Sequence, residues 1–413
     1  MHTTLETERD FRPEPPDAFP SIVFLINSTF PYYSGGRETW LSSIGALLAQ
    51  RGHRVIIMAM SPRDTGVARH DLHPTIRLVQ VAEPAWLRTC ARILRGPLQQ
   101  LYCVLIAIPF RARLKDLLGD IHSPIIVTLD TVVLPLAIPT RLLPGHGWVC
   151  ASKGPHAAVM AIGCKPLSLV FHYLERRAFR RAREVWSNGK DMGAVIAGLG
   201  FHNIVVGNGV HTKEWEAQVS PPAEFQTGRP EARVASIATV LPIKGVEAAI
   251  RALAFTMKSH ESCRPWQLTW VGKGDPGRYL SLAANLGVLD SVEFLGDRRD
   301  VRPYAMHSSA LLCLSGGGGM SMSALEAMCS GVPVIAWDTP VYRQLIDSGR
   351  SGFLVPEGDS EELAMAVQAA LSLPEEERER MAGNARRIAR LHDWTAVVDR
   401  IEARLTEIRR RCQ

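Results

Sequence analysis

The sequence predicts an α/β protein made of two doubly wound domains, and three observations carry this prediction. The chain has 413 residues, which is too long for one hydrophobic core and favours two domains of roughly 150–200 residues each. Short β-rich runs alternate with helical periods, as in parallel sheets covered by helices. This alternation restarts after the polar, proline-rich stretch QVSPPAEFQTGRPEA, which predicts a linker at 218–232.

The first half opens with a strand–helix–strand pattern. The apolar run SIVFLIN at 21–27 predicts a buried strand, and after a glycine loop the amphipathic segment ETWLSSIGALLAQRG predicts a helix leading into the strand HRVIIMAM. The preceding residues are acidic and proline-rich, which predicts a disordered tail at 1–19. We assign the first domain to 20–217, with further predicted strands at 124–129, 147–152, 184–188 and 203–208.

The second half repeats this pattern after the linker. A predicted strand at 233–240 is followed by the helical segment KGVEAAIRALAFTMKS. Further strands are predicted at 266–272, 291–296, 310–315 and 333–337. We assign the second domain to 233–395 and the strongly helical remainder to a C-terminal segment at 396–413. Ligands of doubly wound sheets bind beyond the carboxyl ends of the strands, where the strand order reverses, so we expect the site in the cleft between the domains.

Composition narrows the class of protein. The formal charge of +6 is modest and fits acidic ligands better than basic ones, and no basic block is interleaved with aromatic residues as nucleic-acid binding would favour. Eight cysteines are scattered without a C-x-x-C pair, so no zinc or redox motif is indicated and a reducing compartment is expected. The most apolar stretches are short or broken by proline, so no transmembrane helix or signal peptide is predicted.

A run of four glycines in SGGGGMSMSALEAM, starting at Ser315, separates a predicted strand from a predicted helix. The N-terminus of a helix offers unpaired amides and a partial positive charge, and glycines let a phosphate approach closely. A second interpretation is purely structural: Ser323-x-x-Glu326 also fits a capping box, in which the acid satisfies the helix's own backbone. The local pattern does not decide between them.

Two other glycine loops each allow a structural and a functional interpretation. Gly272-x-Gly274-x-x-Gly277 with Glu293 downstream would suit a dinucleotide dehydrogenase. That reading is weak because Pro276 favours a turn and because the motif does not follow the first strand of its domain. The pair Gly35-Gly36, in FPYYSGGRETW, is either a plain turn before a helix or a backbone that contacts a ligand from the opposite domain.

Together these pieces resemble glycosyltransferase family 4, a group of retaining, nucleotide-sugar-dependent enzymes with the GT-B fold. The resemblance covers most of the chain and rests on five motifs in the family's order: PYYSGGRE with LLAQRGHRV, VVGNGVHTKEW, SIATVLPIKGVEAAIRAL, VEFLGD, and LSGGGGMSMSALEAMCSGVPVIAW with GFLVPEGDSEELAMAV. It implies two Rossmann-like doubly wound domains facing an interdomain cleft, the first binding the acceptor and the second the donor. It also implies that the last helix returns to the first domain.

The resemblance implies a role for each matching residue. Glu326 matches the second acid of the family's E-x7-E motif, which binds the nucleotide ribose, and Lys244 matches the lysine that contacts the diphosphate. The resemblance implies further donor-binding positions at Gly35, Gly36, Gly272, Leu295, Gly318, Gly319, Met320, Ser321 and Met322. The implied reaction stabilises the leaving diphosphate electrostatically and needs no protein nucleophile. No metal or other cofactor is implied, because no suitable D-x-D pair is present.

The sequence departs from the family at three positions. Gly318 stands where the first motif glutamate binds hydroxyls of the transferred sugar. Thr239 stands where the family has an arginine on the diphosphate, and losing such a charge-assisted bond costs about 1.5–3 kcal/mol. Lys153 stands where the family has a histidine near the sugar.

Several cations are candidates to replace the missing groups. Arg37, Arg298 and Arg299 are placed near the expected diphosphate site, and Lys153 would supply a charge beside the sugar, with His156 as its substitute. The alternative interpretation is that Lys153 and His156 are ordinary loop residues. We count Lys153 with Lys244 and Glu326 as the catalytic candidates.

The segment YLERRAFRRAREVW at 173–186 carries five arginines. Such runs are usually a solvated helix face, but this one would also suit anionic lipid headgroups and a lipid-linked acceptor. Arg176, Arg180 and Arg183 share a face at helical spacing.

We therefore expect a glycosyltransferase that uses a UDP- or GDP-sugar, with a glycan, a lipid-linked intermediate or a small natural product as acceptor. The alternative is a non-catalytic GT-B protein that binds a nucleotide sugar or a partner glycosyltransferase. We expect a cytoplasmic location, with peripheral contact at the inner membrane face as one option, and no nucleic-acid partner.

Overall fold

The structure, a computed structural model, describes residues 21–412 except for 29, 32–34, 62–70, 94–101, 103, 120, 122, 132, 139–146, 153–164, 227–231, 259–262 and 317–319. The predicted tail therefore lies outside the described residues. Within the described parts, the chain forms two separate sheets, of seven and six strands, with all strand pairs parallel. The predicted α/β class with two doubly wound sheets is confirmed.

The first sheet has the order β3-β2-β1-β4-β5-β6-β7. Its strands are β1 (Ile22–Leu25), β2 (Val55–Met60), β3 (Arg77–Val81), β4 (Ile125–Thr128), β5 (Gly147–Ser152), β6 (Glu184–Ser187) and β7 (Ile204–Val205). The helices along this half are α1 (Gly36–Gln50), α2 (Ala85–Ile93), α3 (Ala107–Gly119), α4 (Val133–Ala137), α5 (Lys165–Arg181), α6 (Lys190–Gly198) and α7 (Thr212–Glu216).

The second sheet has the order β10-β9-β8-β11-β12-β13. Its strands are β8 (Ala232–Ile237), β9 (Trp266–Val271), β10 (Val292–Gly296), β11 (Ala310–Cys313), β12 (Val334–Trp337) and β13 (Phe353–Val355). The helices are α8 (Ala223–Gln226), α9 (Val246–Lys258), α10 (Gly277–Asn285), α11 (Arg302–Met306), α12 (Met322–Ser330), α13 (Pro340–Arg343), α14 (Ser360–Leu371), α15 (Glu375–Arg390) and α16 (Trp394–Cys412), with 3-10 turns at Pro242–Lys244 and Leu289–Ser291.

Both faces of the first sheet are buried, because successive side chains of a strand point to opposite faces. Val23 and Leu25 of β1 pack on one face with Phe110 of helix α3. Ile22 and Phe24 belong to a second cluster on the other face, with helices α1 and α16. This double burial explains why β1 reads as a continuous apolar run rather than as an alternating pattern.

The chain crosses between the two halves at two adjacent segments. Val210 donates its backbone N–H to the carbonyl of His392, and Trp394 donates its N–H to the carbonyl of Val210. Thr212 also donates both its backbone N–H and its hydroxyl to the Asp393 carboxylate. Helix α16 then packs against the core of the first sheet. The described residues form no helix that is both long enough and apolar enough to span a membrane.

Candidate functional site

The order of each sheet reverses beside its first strand. In the second sheet this point lies between β8 and β11, so the loops that follow these two strands open into the same crevice. The loop after β8 ends at Lys244, and the loop after β11 leads through Ser315 and the glycine run into helix α12. The fold therefore brings two sequence-predicted elements together at the position where such sheets bind ligands.

Lys244 contacts the glycine-rich loop directly. Its Nζ donates a hydrogen bond to the Ser315 hydroxyl at 3.0 Å, and the backbone N–H of Gly316 donates to the Ile243 carbonyl at 3.0 Å. Gly245 has φ +74°, and a Cβ there would lie 2.5 Å from the Cβ of Leu314, so this glycine lets the two loops approach.

The Lys244 ammonium has no counter-charge among the described residues, where no carboxylate lies within ion-pair distance. Burial lowers the pKa of Lys244 from its ordinary value. Burial removes water that would stabilise the charged ammonium. An anion bound at this position would stabilise that charge again. The lysine is thus placed to hold a negatively charged ligand.

Helix α12 begins beside this lysine and is capped by Ser321. The Ser321 hydroxyl accepts a hydrogen bond from the Ala324 backbone N–H at 3.2 Å. The capping-box interpretation of Ser323 and Glu326 is therefore not supported, because the side chain that caps the helix is Ser321, two residues earlier. Glu326 lies beyond the first turn and forms no hydrogen bond within the described residues, which leaves its carboxylate open to a ligand.

Glu326 is half-buried. Burial raises the pKa of Glu326 to about 7, with a smaller contribution from the carboxylate of Glu214 on helix α7. The acid is therefore only partly ionised near neutral pH. Hydroxyl groups of a ligand would stabilise its charged form by donating hydrogen bonds to it.

The first domain meets helix α12 at its N-terminus. The Met320 backbone N–H donates to the Asn188 carbonyl at 3.3 Å, and Asn208 Nδ2 donates to the Met320 carbonyl at 2.6 Å. A Cβ on Gly36 would lie 3.4 Å from the Met322 side chain. Helix α1 also starts at Gly36, without a side-chain cap. Two helix N-termini therefore point to one region of the cleft.

The remaining predicted residues occupy different surroundings. Arg37 lies at the start of helix α1, where its Nη1 donates to Asn27 Oδ1 at 2.8 Å. Arg298 pairs with Glu224 at 2.9 Å and donates to the Tyr304 hydroxyl, and Arg299 lies 3.5 Å from Asp71 on the surface. Lys153, His156, Gly318 and Gly319 lie outside the described residues.

Gly272 and Leu295 lie at the ends of the neighbouring strands β9 and β10. Gly272 has φ +155°, and a Cβ there would lie 2.0 Å from the Ala238 carbonyl oxygen. Its N–H donates to the Gly296 carbonyl at 2.9 Å. Leu295 is half-buried. Gly272 thus allows close approach of the backbone segments that flank the crevice.

The dehydrogenase interpretation has no support at these glycines. A Cβ on Gly274 would lie 2.8 Å from Val240, so this position too is required for backbone packing. Glu293, the acid expected to bind a ribose, instead pairs with Arg233 at 3.3 Å. No group of three metal-binding side chains occurs in the part of the chain that the structure describes.

Sequence reasoning missed three residues that surround Met320 and Glu326. Asn188 follows β6, and its Oδ1 is buried without a hydrogen-bond partner. Asn208 was visible in the motif VVGNGVHTKEW but had no assigned role. Glu214 lies six residues further along, in the same motif. Their positions depend on contacts between domains, which spacing along one chain does not reveal.

Comparisons with known proteins agree with this geometry. Residues 231–372 match the family described as glycosyl transferases group 1. A phosphatidyl-myo-inositol mannosyltransferase of Mycobacterium leprae is 34% identical over 163 residues, which cover 39% of this chain and 42% of that protein. The chain spans less than half the length of the curated relatives it matches.

Solved structures resemble nearly the whole chain. Sucrose-phosphate synthase from Thermosynechococcus elongatus superposes with a TM-score of 0.77 at 18% identity, covering 94% of this chain and 99% of that one. The Anabaena protein HepE, solved in complex with UDP, gives a TM-score of 0.69 at 20% identity and covers 94% and 100% of the two chains. The resemblance seen in the motifs is therefore confirmed: residues 231–372 match the model of the glycosyl transferases group 1 family, and the chain has the GT-B fold of glycosyltransferase structures.

Proposed function

We propose that the protein transfers a sugar from a nucleoside-diphosphate sugar to an acceptor hydroxyl, with retention of the anomeric configuration. The observation that carries this proposal is the Lys244 ammonium beside the glycine-rich entrance to helix α12, where it hydrogen-bonds Ser315 and has no carboxylate partner among the described residues. An ammonium and the free amides of a helix N-terminus together suit a diphosphate. HepE, which has the same fold, was solved with UDP, with UDP and glucose, and with UDP-glucose.

In this proposal Lys244 and the backbone amides of Gly319, Ser321 and Met322 hold the diphosphate, whereas the Met320 N–H already donates to the Asn188 carbonyl. As the bond to the sugar breaks, negative charge grows on the departing diphosphate, and these groups stabilise it without reorganising. Glu326 accepts hydrogen bonds from the ribose hydroxyls. The acceptor hydroxyl attacks from the face that the diphosphate leaves, and its oxygen bonds to the sugar as the bond to the diphosphate breaks. Its proton passes to the departing diphosphate, and no protein nucleophile takes part. Leu295 and Gly272 border the donor on the second domain.

The first domain completes the site in the same proposal. Gly35 and Gly36 bring the start of helix α1 to the donor, with Arg37 as an additional cation. Lys153 supplies charge near the sugar, or His156 does so in its place. Arg298 is a weaker candidate, because its guanidinium already pairs with Glu224. Gly318 carries no acid, so the transferred sugar would be held by other groups.

We place the acceptor among lipid-linked glycans, with soluble glycans and small molecules as alternatives. The Mycobacterium leprae relative is a phosphatidyl-myo-inositol mannosyltransferase, whose name includes a lipid. A cytoplasmic site of action suits a nucleotide-sugar donor and the buried free thiols of Cys150 and Cys313.

A binding experiment tests the donor site. UDP, GDP, ADP and TDP are titrated by calorimetry into the wild-type protein and into Lys244→Met, and the preferred nucleoside is titrated separately. We expect Lys244→Met to weaken diphosphate binding at least about tenfold, because a charge-assisted bond is lost, while nucleoside binding stays unchanged. Lys258→Met, at the exposed end of helix α9, is the matched control. If Lys244→Met and Lys258→Met bind the diphosphate with equal affinity, the proposed diphosphate site at Lys244 is wrong.

A turnover assay separates the transferase from the second candidate, a non-catalytic protein that binds a nucleotide sugar or a partner enzyme. The absence of a motif glutamate at Gly318 is the observation that favours this second candidate. Sugar nucleotides are incubated with broad acceptor mixtures, and released nucleotide is measured. Binding without turnover of any donor supports the non-catalytic protein. Gly318→Glu then tests whether this position contributes to choice of the sugar.

A further inference from the structure

We propose that helices α3 and α5 form a surface that docks the protein onto an anionic lipid bilayer. This docking surface comprises Ile108, Arg111, Leu169, Tyr173, Arg177 and Arg180. It combines solvent-exposed apolar side chains with arginines that have no acidic partner. It lies outside the cleft, so its test requires neither donor nor acceptor and is independent of the transferase proposal.

The apolar part of the docking surface is unusually exposed. Leu169, Tyr173 and Ile108 are 71%, 58% and 54% exposed. Leu169 and Tyr173 are four residues apart on helix α5 and therefore lie on the same side of it. Neighbouring apolar side chains left in water are typical of a surface that another apolar phase covers.

The basic part continues along that side of helix α5. Arg176 and Arg180 follow Tyr173 at helical spacing, and Arg177 lies next to them. Within the described residues, none of these arginines forms an ion pair with a carboxylate. Some other exposed arginines do pair with an acid, as Arg251 with Glu247 and Arg343 with Asp338 show. The arginines of helix α5 are therefore available to an external anion.

Helix α3 adds to the same charge. Both helices contribute side chains to one core cluster, Phe110 from helix α3 and Phe179 from helix α5. Burial lowers the pKa of Arg181, and the nearby charges of Arg177 and Arg111 lower it further, which places cations of both helices close together. The two helices contain eight basic residues and only two acidic ones.

Neither acidic residue neutralises this charge. Glu175 is buried and accepts a hydrogen bond from the Thr131 hydroxyl at 2.6 Å. Asp116 lies on the exposed side of helix α3 and forms no ion pair with any described arginine. The excess positive charge is thus a property of the surface and not only of the sequence.

The topology orients the docking surface toward the cleft. β5 runs to the carboxyl edge of the first sheet, and helix α5 returns from that edge antiparallel to the strand. The N-terminal part of helix α5, with Leu169 and Tyr173, therefore lies at the edge where the cleft opens. A bilayer in contact with these side chains would present lipid-linked molecules near the cleft.

A bilayer fits this surface better than the other occupants. A second copy of the chain would bring the same positive charge against itself, which is unfavourable. Nucleic acid would pair with the arginines but would leave Leu169 and Ile108 in water. An anionic bilayer satisfies both parts, because its headgroups pair with arginine and its interface accepts leucine, isoleucine and tyrosine.

Vesicle binding of the full chain tests the proposal. We expect the protein to float with vesicles of phosphatidylglycerol and phosphatidylcholine, and to stay unbound with phosphatidylcholine alone. Replacing Arg177 and Arg180 by serine should weaken binding to anionic vesicles at least about tenfold, since each arginine contributes about fivefold. The matched control removes the same charge elsewhere, in Arg380→Ser with Arg387→Ser on helix α15.

A second variant tests the apolar part. Leu169→Ser with Tyr173→Ser should reduce binding to anionic vesicles and make the remaining binding more sensitive to salt. Thermal unfolding of each variant checks that the fold is retained. If the double substitution at Arg177 and Arg180 unfolds the protein, vesicle binding of the variant at Leu169 and Tyr173 is the test. Equal weakening by the control pair, equal binding to neutral vesicles, or binding to RNA without binding to vesicles would overturn the proposal.

Discussion

Lys244 and Glu326 carry their charges in partly buried positions without an opposite charge among the described residues. Burial lowers the pKa of Lys244 and raises that of Glu326, so each charged form is less stable here than in water. Perturbed groups of this kind cluster at functional sites. A diphosphate at Lys244 and ribose hydroxyls at Glu326 would supply the missing partners.

Glu326→Gln should therefore stabilise the unliganded protein at alkaline pH. The pKa of Glu326 rises from 4.5 to about 7 on folding, so the folded protein keeps a proton that the unfolded chain releases in this range. The free energy of unfolding therefore falls as the pH rises from 4.5 to 7, by about 3 kcal/mol from this residue. We expect urea unfolding to show a gain of up to this size at about pH 8 and little gain at about pH 4.

The same variant should lose affinity for the preferred nucleoside diphosphate, because an amide accepts hydroxyl hydrogen bonds less strongly than a carboxylate. Glu376→Gln, at an exposed acid of helix α15, is the control and should change neither property. A gain in stability that is equal at both pH values would mean that the Glu326 charge is not the cause. Unchanged nucleotide affinity would exclude Glu326 from the site.

At the level of elements, glycines determine how closely the loops at the crevice pack. Gly272, Gly274 and Gly245 all have positive φ, and a Cβ at each would clash with backbone or side-chain atoms of a neighbouring loop. The loops after β8 and β9 can therefore lie in direct backbone contact. This packing fixes the position of Lys244 at the end of the loop that follows β8.

Gly272→Ala should destabilise the protein by at least about 3 kcal/mol, because the new Cβ would lie 2.0 Å from a carbonyl oxygen and the backbone must shift. Gly287→Ala is the matched control. It also has positive φ, at +75°, but no atom lies within 4 Å of the added Cβ, so the expected cost is about 1–2 kcal/mol. Urea unfolding measures both, and equal costs would show that only the backbone angle matters.

Sequence analysis identified every strand except β3 and β13, and those it identified include the outer strands β7 and β10. Central strands such as β1 and β12 read as apolar runs, and the structure contains them near the predicted positions. The outer strands β3 and β13 were not predicted. Each pairs with a single neighbour, and each is partly exposed, so neither needs the continuous apolar run that marks a central strand.

Only part of the site could be predicted from the sequence. Lys244, Ser315 and helix α12 follow the two central strands of one sheet, and the rule that ligands bind where the order reverses places them together. The cap at Ser321 was missed, because Ser323 with Glu326 fits the Ser-x-x-Glu pattern, whereas the residue three positions after Ser321 is Ala324. Packing against Asn188 and Asn208 is absent from any local pattern.

At the scale of the whole molecule, the last helix of the chain, α16, packs against the first domain. Helix α16 buries Val397, Ile401 and Leu405 against the core of the first sheet. Arg51, just after helix α1, lies 2.6 Å from Asp399 and 2.6 Å from Glu402, which also lies 2.6 Å from His53. These partners are some 350 residues apart, as the separation of 351 between Arg51 and Glu402 shows. No short sequence pattern predicts such a contact.

The ion pairs that join Arg51 and His53 to helix α16 make its packing against the first domain weaker at acid pH. Burial alone would raise the pKa of Glu402, but hydrogen bonds from His53 and Arg51 outweigh burial and lower it below the ordinary value of 4.5. A lowered pKa means that the folded protein releases this proton more readily than the unfolded chain. The stabilisation is therefore complete above pH 4.5 and is lost as the pH falls through the lower folded value.

Glu402→Gln should lower the free energy of unfolding by about 1–2 kcal/mol near neutral pH, because it weakens two charge-assisted hydrogen bonds to partly buried partners. The difference between the variant and the wild-type protein should shrink as the pH falls from neutral into the acid range, because Glu402 becomes protonated there and loses its charge. Glu407→Gln is the matched control on the same helix, since Glu407 pairs only with Arg411 at the exposed end and should cost less than about 0.5 kcal/mol. Thermal unfolding of the three proteins across this pH range measures the difference. A deficit of equal size at neutral and at acid pH would mean that Glu402 acts through packing, and equal costs for the two variants would mean that the network at Arg51 does not anchor the helix.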